Sequence, residues 1–361
     1  MEIAESRPSY QSRLQSRCRK IVVTGASGFV AERVIPLLRT AGLYVVGIDR
    51  KARPSSPCDK FISAELSEIC HAEFGRELEF DCIMHLAAAR ADWGISDEEF
   101  ERDNVQATKN VVQLAKDCGV TKLIFVSSIS VFGQDRGTIL SEENPPNPIN
   151  VYGRTKLKAE RLVKSCSDQI DVVIVRPTVI YGPSNPEHTG FYRATDNNIF
   201  RMIDAIQRNR FVIPGDRSVV KSVCYVENIA SFLAFLAREK TNEKEFLFAD
   251  EEQVSIGEIA NRIKSGLGTE RNILTIPQWV LLPIAKIFDL VGSVLKVNLP
   301  INSSRVRTVN MATAMEMSRA QEAGFVHPYT SKTGLEKTVD WYRQTIQGKE
   351  IDTFWIKKTD D

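Results

Sequence analysis

The chain is poor in histidine, its cysteines are scattered, and it has no long uninterrupted apolar run; each shortage removes a class of function. Four histidines occur among 361 residues, none in a His-x-x-x-His or similar pair. Metal catalysis therefore has no visible ligand set, and no metal is expected. The cysteines at 18, 58, 70, 82, 118, 166 and 224 are odd in number and contain no Cys-x-x-Cys pair. That pattern argues against a zinc site or disulfide framework and for a reducing, cytoplasmic setting. An excess of either charge is also lacking: 47 basic and 46 acidic residues leave a formal net charge of +1. Nucleic acid is accordingly not an expected partner, and composition alone makes no case for an acidic membrane. Residues 1–19 are polar, with Arg7, Arg13, Arg17 and Arg19 but no apolar core, and read as a flexible tail instead of a secretory leader. The most apolar later segment, Trp279 to Val297, is broken by Pro283, Lys286, Asp289 and Lys296. It reads as a core or substrate-covering helix, with contact to a membrane surface as the alternative to spanning one.

What the chain does have, from residue 20 to about 175, is short β-branched runs alternating with longer helical stretches. Strands are predicted at Lys20–Thr24, Tyr44–Ile48, Lys60–Ile62, Cys82–His85, Lys122–Val126 and Val172–Val175. Helices are predicted over Phe29–Ala41, Asp97–Cys118 and Val151–Ser165, the first carrying Pro36, which should cost a hydrogen bond or a kink. This alternation predicts an α/β fold, a Rossmann-type doubly wound parallel sheet covered on both faces. Beyond Pro177, turn-rich stretches separate shorter elements, and a helix is predicted over Glu227–Arg238. The expected organisation is a nucleotide-binding domain over 20–180, then a smaller mixed α/β substrate-binding portion over 181–361, with some chain crossing back.

Ile21-Val-Val-Thr-Gly-Ala-Ser-Gly-Phe-Val-Ala reads as a strand, a glycine-rich turn and a helix start. Gly25 and Gly28 would let backbone approach a pyrophosphate, which the helix N-terminus attracts. A tight turn without ligand explains the glycines equally well. Asp49, at the end of the next strand, falls where a carboxylate grips the adenine-ribose hydroxyls, about 20 residues on. A carboxylate repels a 2′-phosphate, which favours NAD, although Arg50 and Lys51 follow directly and suit NADP.

Tyr152 and Lys156 lie four residues apart and so share one helix face. A nearby cation favours phenolate and draws the tyrosine pKa down. Such a tyrosine can exchange a proton with a substrate hydroxyl while a cofactor exchanges a hydride with the same carbon.

Together, Thr24-Gly-Ala-Ser-Gly-Phe, Asp49, His85-Leu-Ala-Ala, Asn104-Val, Val126-Ser-Ser-Ile-Ser-Val-Phe-Gly, Tyr152-Gly-Arg-Thr-Lys and Arg176-Pro-Thr-Val-Ile-Tyr-Gly-Pro resemble the extended short-chain dehydrogenase/reductase family, nucleotide-sugar epimerase and reductase branch. The resemblance places Ser128 at the serine that hydrogen-bonds the reacting oxygen and Tyr152 at the acid/base. Lys156 takes the place of the lysine that holds the nicotinamide ribose. It implies NAD contacts at Gly25, Ser27, Gly28, Phe29, Val30, Asp49 and Arg50, and at Glu65 and Leu66 beside the adenine. Further contacts are implied at Ala87, Ala88, Ala89 and Asn104, and at Pro177, Thr178 and Val179 near the nicotinamide. Substrate contacts are implied at Ser128, Ser130, Asn197, Asn198 and Lys221; helix capping and an idle surface lysine are the alternatives for the last three. Trp93 could border the substrate or simply pack.

Ile129 and Ser130 stand where nucleotide-sugar 4,6-dehydratases carry Asp-Glu, so water elimination lacks its acid and base. What remains is hydride and proton exchange at a sugar carbinol, as C4 epimerisation or 4-keto-sugar reduction of a nucleoside-diphosphate sugar, by a homodimer. A 3β-hydroxysteroid-type dehydrogenase is the alternative, and a silent nucleotide-sensing protein another, which the intact Ser128, Tyr152 and Lys156 oppose.

Overall fold

Each of the six β-branched runs forms a strand: β1 (Lys20–Thr24), β2 (Tyr44–Asp49), β3 (Lys60–Ser63), β4 (Cys82–His85), β5 (Lys122–Val126) and β6 (Asp171–Pro177). The computed structural model describes residues 18–69, 80–90, 95–133, 139–184, 198–295 and 303–345. Later strands are β7 (Val179–Tyr181), β8 (Val212–Pro214), β9 (Val220–Lys221), β10 (Val223–Tyr225), β11 (Glu245–Phe248), β12 (Val254–Ser255) and β13 (Leu274–Ile276). Seven of these strands form one sheet in the order β11-β6-β5-β4-β1-β2-β3, every neighbouring pair parallel. Strand order reverses at β1, which lies between β2 and β4. That reversal opens the crevice in which such sheets bind ligands, beyond the carboxyl ends of the strands.

Alternation along β1 sorts its side chains between two cores. Ile21 and Val23 face helix α1 (Ala31–Thr40), while Val22 faces the opposite layer. That layer contains α2, which is α-helical over Asp97–Phe100 and Ala107–Asp117 but π-helical over Glu101–Gln106, and α3 (Val151–Lys164). Val111, Val112 and Leu114 of α2 are buried in this core.

Pro36 sits within α1 on its exposed side. The carbonyl its missing N–H would have served belongs to Glu32, and the Ser56 hydroxyl donates to that oxygen at 2.8 Å. The defect of an interior proline is thus repaired from outside the helix.

After β7 come α4 (Asn198–Gln207), α5 (Val226–Arg238), α6 (Ile256–Leu267), α7 (Gln278–Leu295), α8 (Ser303–Val309), α9 (Ser318–Glu322) and α10 (Ser331–Thr345). The chain crosses back to the sheet: Ile229, Leu233 and Leu236 of α5 pack against the α1 face, with Ala320 and Phe325. A separate cluster unites Tyr181, Phe200, Ile203, Tyr225, Ile259 and Leu335. Asp250 ties it together by accepting from Tyr225 N at 2.8 Å, Asn228 Nδ2 at 2.8 Å and the Tyr181 hydroxyl at 3.1 Å. Of the readings open for the segment around Trp279, the core helix is excluded: the long apolar side chains of α7 lie largely at the surface.

The sheet edge is closed by a buried ion pair. Arg176 of β6 donates from Nε to Glu160 Oε1 at 2.9 Å and from Nη2 to Oε2 at 2.8 Å, and also reaches Glu245 of β11 at 2.5 Å. Arg176 and Glu160 are 2% and 1% exposed. Removing Glu160 would leave the buried Arg176 charge with Glu245 alone. Glu160→Ala should therefore lower unfolding free energy by about 3 kcal/mol, read as a fall in the urea midpoint.

Candidate active site

At the end of β1 the chain turns through Gly25 in the left-handed region, with φ +70°. A side chain there would come within 2.8 Å of Ala87 N, so glycine is required both for the turn and for the approach of the β4 loop. Gly28 N–H donates to Gly25 O at 2.8 Å. A Cβ on Gly28 would sit 2.9 Å from that same oxygen. No side chain caps the start of α1, leaving its N-terminal dipole available to an anion.

Asp49 closes the far side. Its Oδ2 accepts from Ser27 N at 3.1 Å and its Oδ1 from Lys51 N at 3.0 Å. A carboxylate has about four acceptor sites, so capacity remains for ribose hydroxyls. Arg50 is drawn away from that carboxylate: it pairs with Asp103 at 2.8 Å and Glu65 at 3.5 Å. Glu65 thus holds an arginine where the sequence placed it against adenine. Burial raises the Asp103 carboxyl, but hydrogen bonds and charge from Arg102 and Arg50 outweigh it and hold the group below its ordinary range. Leu66 is buried in the core of this layer.

Behind the turn runs a continuous polar relay. Thr24 Oγ1 meets His85 Nδ1 at 2.6 Å, and His85 Nε2 meets Thr108 Oγ1 at 3.0 Å. The Thr108 hydroxyl donates to Asn104 O at 2.6 Å. Asn104 accepts from Ala89 N at 2.7 Å and donates to Ala89 O at 3.3 Å and to Thr155 Oγ1 at 3.0 Å. Asn104 lies within the π-helical turn, a local widening frequent at functional sites. Its side chain holds Ala89 and α3, whereas the sequence placed it on the cofactor. Ala87 and Ala88 stay accessible and Ala89 is buried.

Ser128, two residues past the end of β5, is in extended backbone and caps the short turn Ile129–Phe132. Its Oγ accepts from Ser130 N at 3.1 Å and lies 3.1 Å from Ser130 Oγ. Tyr152 stands in the first turn of α3, where Asn150 caps the helix by accepting from Gly153 N at 2.7 Å. Burial pushes the Tyr152 phenol above its ordinary range, opposed by the Arg90 charge and a Ser128 hydrogen bond. The sequence assigned the opposing cation to Lys156, but it is Arg90. Lys156 is 2% exposed; its Nζ donates to Val126 O at 2.7 Å and lies 4.2 Å from the Phe125 ring centre. Burial lowers its pKa to about 7 against the pull of Glu160. Arg90 escaped the sequence reading because a lone arginine in a loop carries no spacing signal.

Pro177 and Thr178 follow at the end of β6, where Thr178 N donates to Phe248 O at 3.0 Å. The Thr178 hydroxyl is buried without a partner, as is that of Ser127. Two orphan hydroxyls by the crevice, an uncapped helix start and spare acceptor capacity on Asp49 suit a polar dinucleotide. Val179 is partly exposed, Val30 packs on the α1-side core, and Phe29 turns to the Tyr181 cluster. Asn198 opens α4 and is exposed, while Asn197 and Trp93, like residues 1–17, lie outside the described residues. Lys221 donates to the Met311 carbonyl, and burial lowers its pKa to about 8. Among the described residues no group of His, Cys, Asp or Glu could hold a metal.

Hydride exchange with a dinucleotide is the chemistry that such a switch point and such a phenol serve, which places the protein among extended short-chain dehydrogenase/reductase enzymes. Residues 21–257 match the NAD dependent epimerase/dehydratase family, and the chain belongs to it. Among its relatives, the N-acetyl-alpha-D-glucosaminyl-diphospho-ditrans,octacis-undecaprenol 4-epimerase of Escherichia coli O157:H7 is 24% identical, over 94% of this chain and 99% of its own. The decarboxylating sterol-4-alpha-carboxylate 3-dehydrogenase of Homo sapiens is 25% identical over 91% and 90%. The crystal structure of UDP-glucuronic acid 4-epimerase from Bacillus cereus with NAD superposes with a TM-score of 0.69 at 22% identity, covering 90% of this chain and 99% of that one.

His85 gives a pH signature. Burial lowers its pKa from 6.5 to about 3, so the unfolded chain binds the extra proton throughout that window. Stability should fall as pH drops from about 6.5 to about 3, with a slope of up to ~1.4 kcal/mol per pH unit from this residue. Denaturant titrations of wild type and His85→Gln should show a shallower acid slope in the variant.

Proposed function

We propose that the protein is an NAD-dependent 4-epimerase of a nucleoside-diphosphate hexose. The observation that carries this reading is the placing of Ser128 just after β5 and of Tyr152 in the first turn of α3 with Lys156 one turn on, with Ile129 and Ser130 providing no second acid or base next to Ser128. Such a site can move one proton to and from one hydroxyl but cannot expel water. NAD, when bound, supplies the acceptance and return of a hydride. Tyr152 takes the proton of the C4 hydroxyl as that carbon becomes a carbonyl and returns it afterwards, so epimerisation consumes no reductant. Ser128 donates to the same oxygen and keeps it in reach of the phenol.

Lys156 would hold the nicotinamide ribose. One of its three ammonium hydrogens goes to Val126 O, leaving two for ribose hydroxyls. Ser27, Gly28 and the start of α1 would hold the pyrophosphate, and Asp49 the adenine ribose. Arg50, engaged by Asp103 and Glu65, is not in place to receive a 2′-phosphate, which supports NAD over NADP. Asn198 and Lys221 remain candidates for the substrate diphosphate, Lys221 only if it leaves the Met311 carbonyl. A cytoplasmic homodimer, paired through the outer faces of α2 and α3, completes the reading by family resemblance. The Escherichia coli relative, a 4-epimerase of an N-acetylglucosaminyl-diphospho-undecaprenol, supports reaction at C4. Likeness to the human sterol dehydrogenase keeps hydroxysteroid oxidation as the second reading.

Proton NMR of the protein with UDP-galactose and, separately, UDP-N-acetylglucosamine, without reductant, should show the C4 epimer accumulating. An inert mixture despite confirmed NAD binding would replace epimerisation with keto-sugar reduction, and turnover of a 3β-hydroxysteroid would favour the second reading. Tyr152→Phe should keep its NAD affinity and lose roughly 10²-fold or more in turnover; full activity would assign the proton to another group. NADH should bind more tightly than NADPH in fluorescence titration, and the reverse order would overturn the role given to Asp49.

A further inference from the structure

Five of the eleven exposed large apolar side chains among the described residues lie on α7: Trp279 (77% exposed), Ile284 (42%), Ile287 (62%), Leu290 (66%) and Val291 (41%). At 100° per residue these fall on one side of the helix. The other side is packed, with Leu281 and Ala285 buried against Val306 of α8. Asp289, the helix's one acid, is turned to that inner side, where its carboxylate accepts from Ser303 N at 3.3 Å. Lys286 is thus the charged residue left on the exposed side. Leu274 of β13, four residues before the helix, is 63% exposed and extends the patch.

A soluble surface helix normally turns its apolar stripe inward; α7 carries one stripe inward and a second outward. Among the described residues no helix is long and apolar enough to cross a membrane, and α7, about 27 Å long, has Pro283 and Lys286 near its middle. The sequence of this stretch is one-sided in charge. From Arg271 to Asn310 the basic residues are Arg271, Lys286, Lys296, Arg305 and Arg307, against Asp289 alone, in a chain whose net charge is +1.

We propose that α7 is an interfacial helix that seats this enzyme on an anionic lipid bilayer, lying in the membrane plane with Trp279, Ile287 and Leu290 inserted and the cations at the headgroups. A second copy fits the face less well. A twofold interface brings each patch against itself and would set Lys286 and Arg271 against their own like charges, whereas anionic headgroups complement them. The helix is also coupled to the candidate substrate region: α7 packs on α8, Asn310 just beyond α8 donates to Pro214 O at 2.5 Å, and Met311 receives Lys221. Nothing in this depends on which sugar is turned over.

The test is flotation of the full-length protein with vesicles of phosphatidylcholine alone and of phosphatidylcholine with phosphatidylglycerol. Wild type should float with the anionic vesicles and be released as salt is raised. The double variant Ile287→Glu/Leu290→Glu should lower the bound fraction roughly tenfold or more while keeping the NAD affinity and thermal midpoint of wild type. Wild type that stays in solution with both vesicles would overturn the proposal. So would a variant that still floats, or one that merely turns a dimer into a monomer, which would give the face to a second copy.

Discussion

The buried hydrogen-bond relay from Thr24 through His85 and Thr108 to Asn104 is the constraint on which the site depends. It joins β1, β4, α2 and α3, the four elements that meet at the switch point, and it does so out of reach of water. Each member has a partner on both sides, and low local dielectric makes such a fully satisfied network stiff and a broken one costly. The position of the 87–89 loop follows from it, because Asn104 grips Ala89 at both backbone groups. The position of Tyr152 follows as well, since Thr155, one link further on, donates to the Tyr152 carbonyl at 3.0 Å.

On that frame, the electrostatics of the crevice are governed by desolvation. Burial lifts the Tyr152 phenol and lowers the Lys156 ammonium, so each is pushed towards its neutral form. The charges that oppose this differ for the two groups: Arg90, in the loop after β4, favours the phenolate, and Glu160, one turn along α3, favours the ammonium. Glu160 also neutralises Arg176. One carboxylate therefore serves both the sheet edge and the catalytic helix, and the two cannot be altered independently.

Much of this was legible in the residues. β1 to β6 stand out because each is a short β-branched run between turn or helix signals, and their observed ends differ from the expected ones by at most two residues. Ser128, Tyr152 and Lys156 stand out in the sequence because their spacing is fixed by one helix and the stretch after one strand. β11 was not: four residues with a glutamate at the start, they become a strand only because β6, about seventy residues earlier, offers an edge. Nor was the π-helical turn, which leaves no trace in apolar periodicity yet decides that Asn104 serves the loop. The pairing of Glu65 with Arg50 was not legible either, since Arg50 is also held by Asp103 arriving from α2. The direction in which α7 presents its apolar residues was likewise hidden, because composition reports how apolar a helix is but not which neighbours it meets.

Pro36 and Ser56 form a coupled pair with consequences for the history of the chain. While position 36 carries an ordinary residue, its own N–H can serve Glu32 O, and the hydroxyl at 56 is dispensable. Once proline is present, that hydroxyl is the partner the carbonyl has. The order of change is therefore asymmetric: serine first and proline second keeps a hydrogen bond on Glu32 O throughout, whereas the reverse loses the helical bond before the Ser56 hydroxyl is there to replace it. The same asymmetry entrenches Ser56, so a change harmless in a relative without the proline would carry a penalty in this chain.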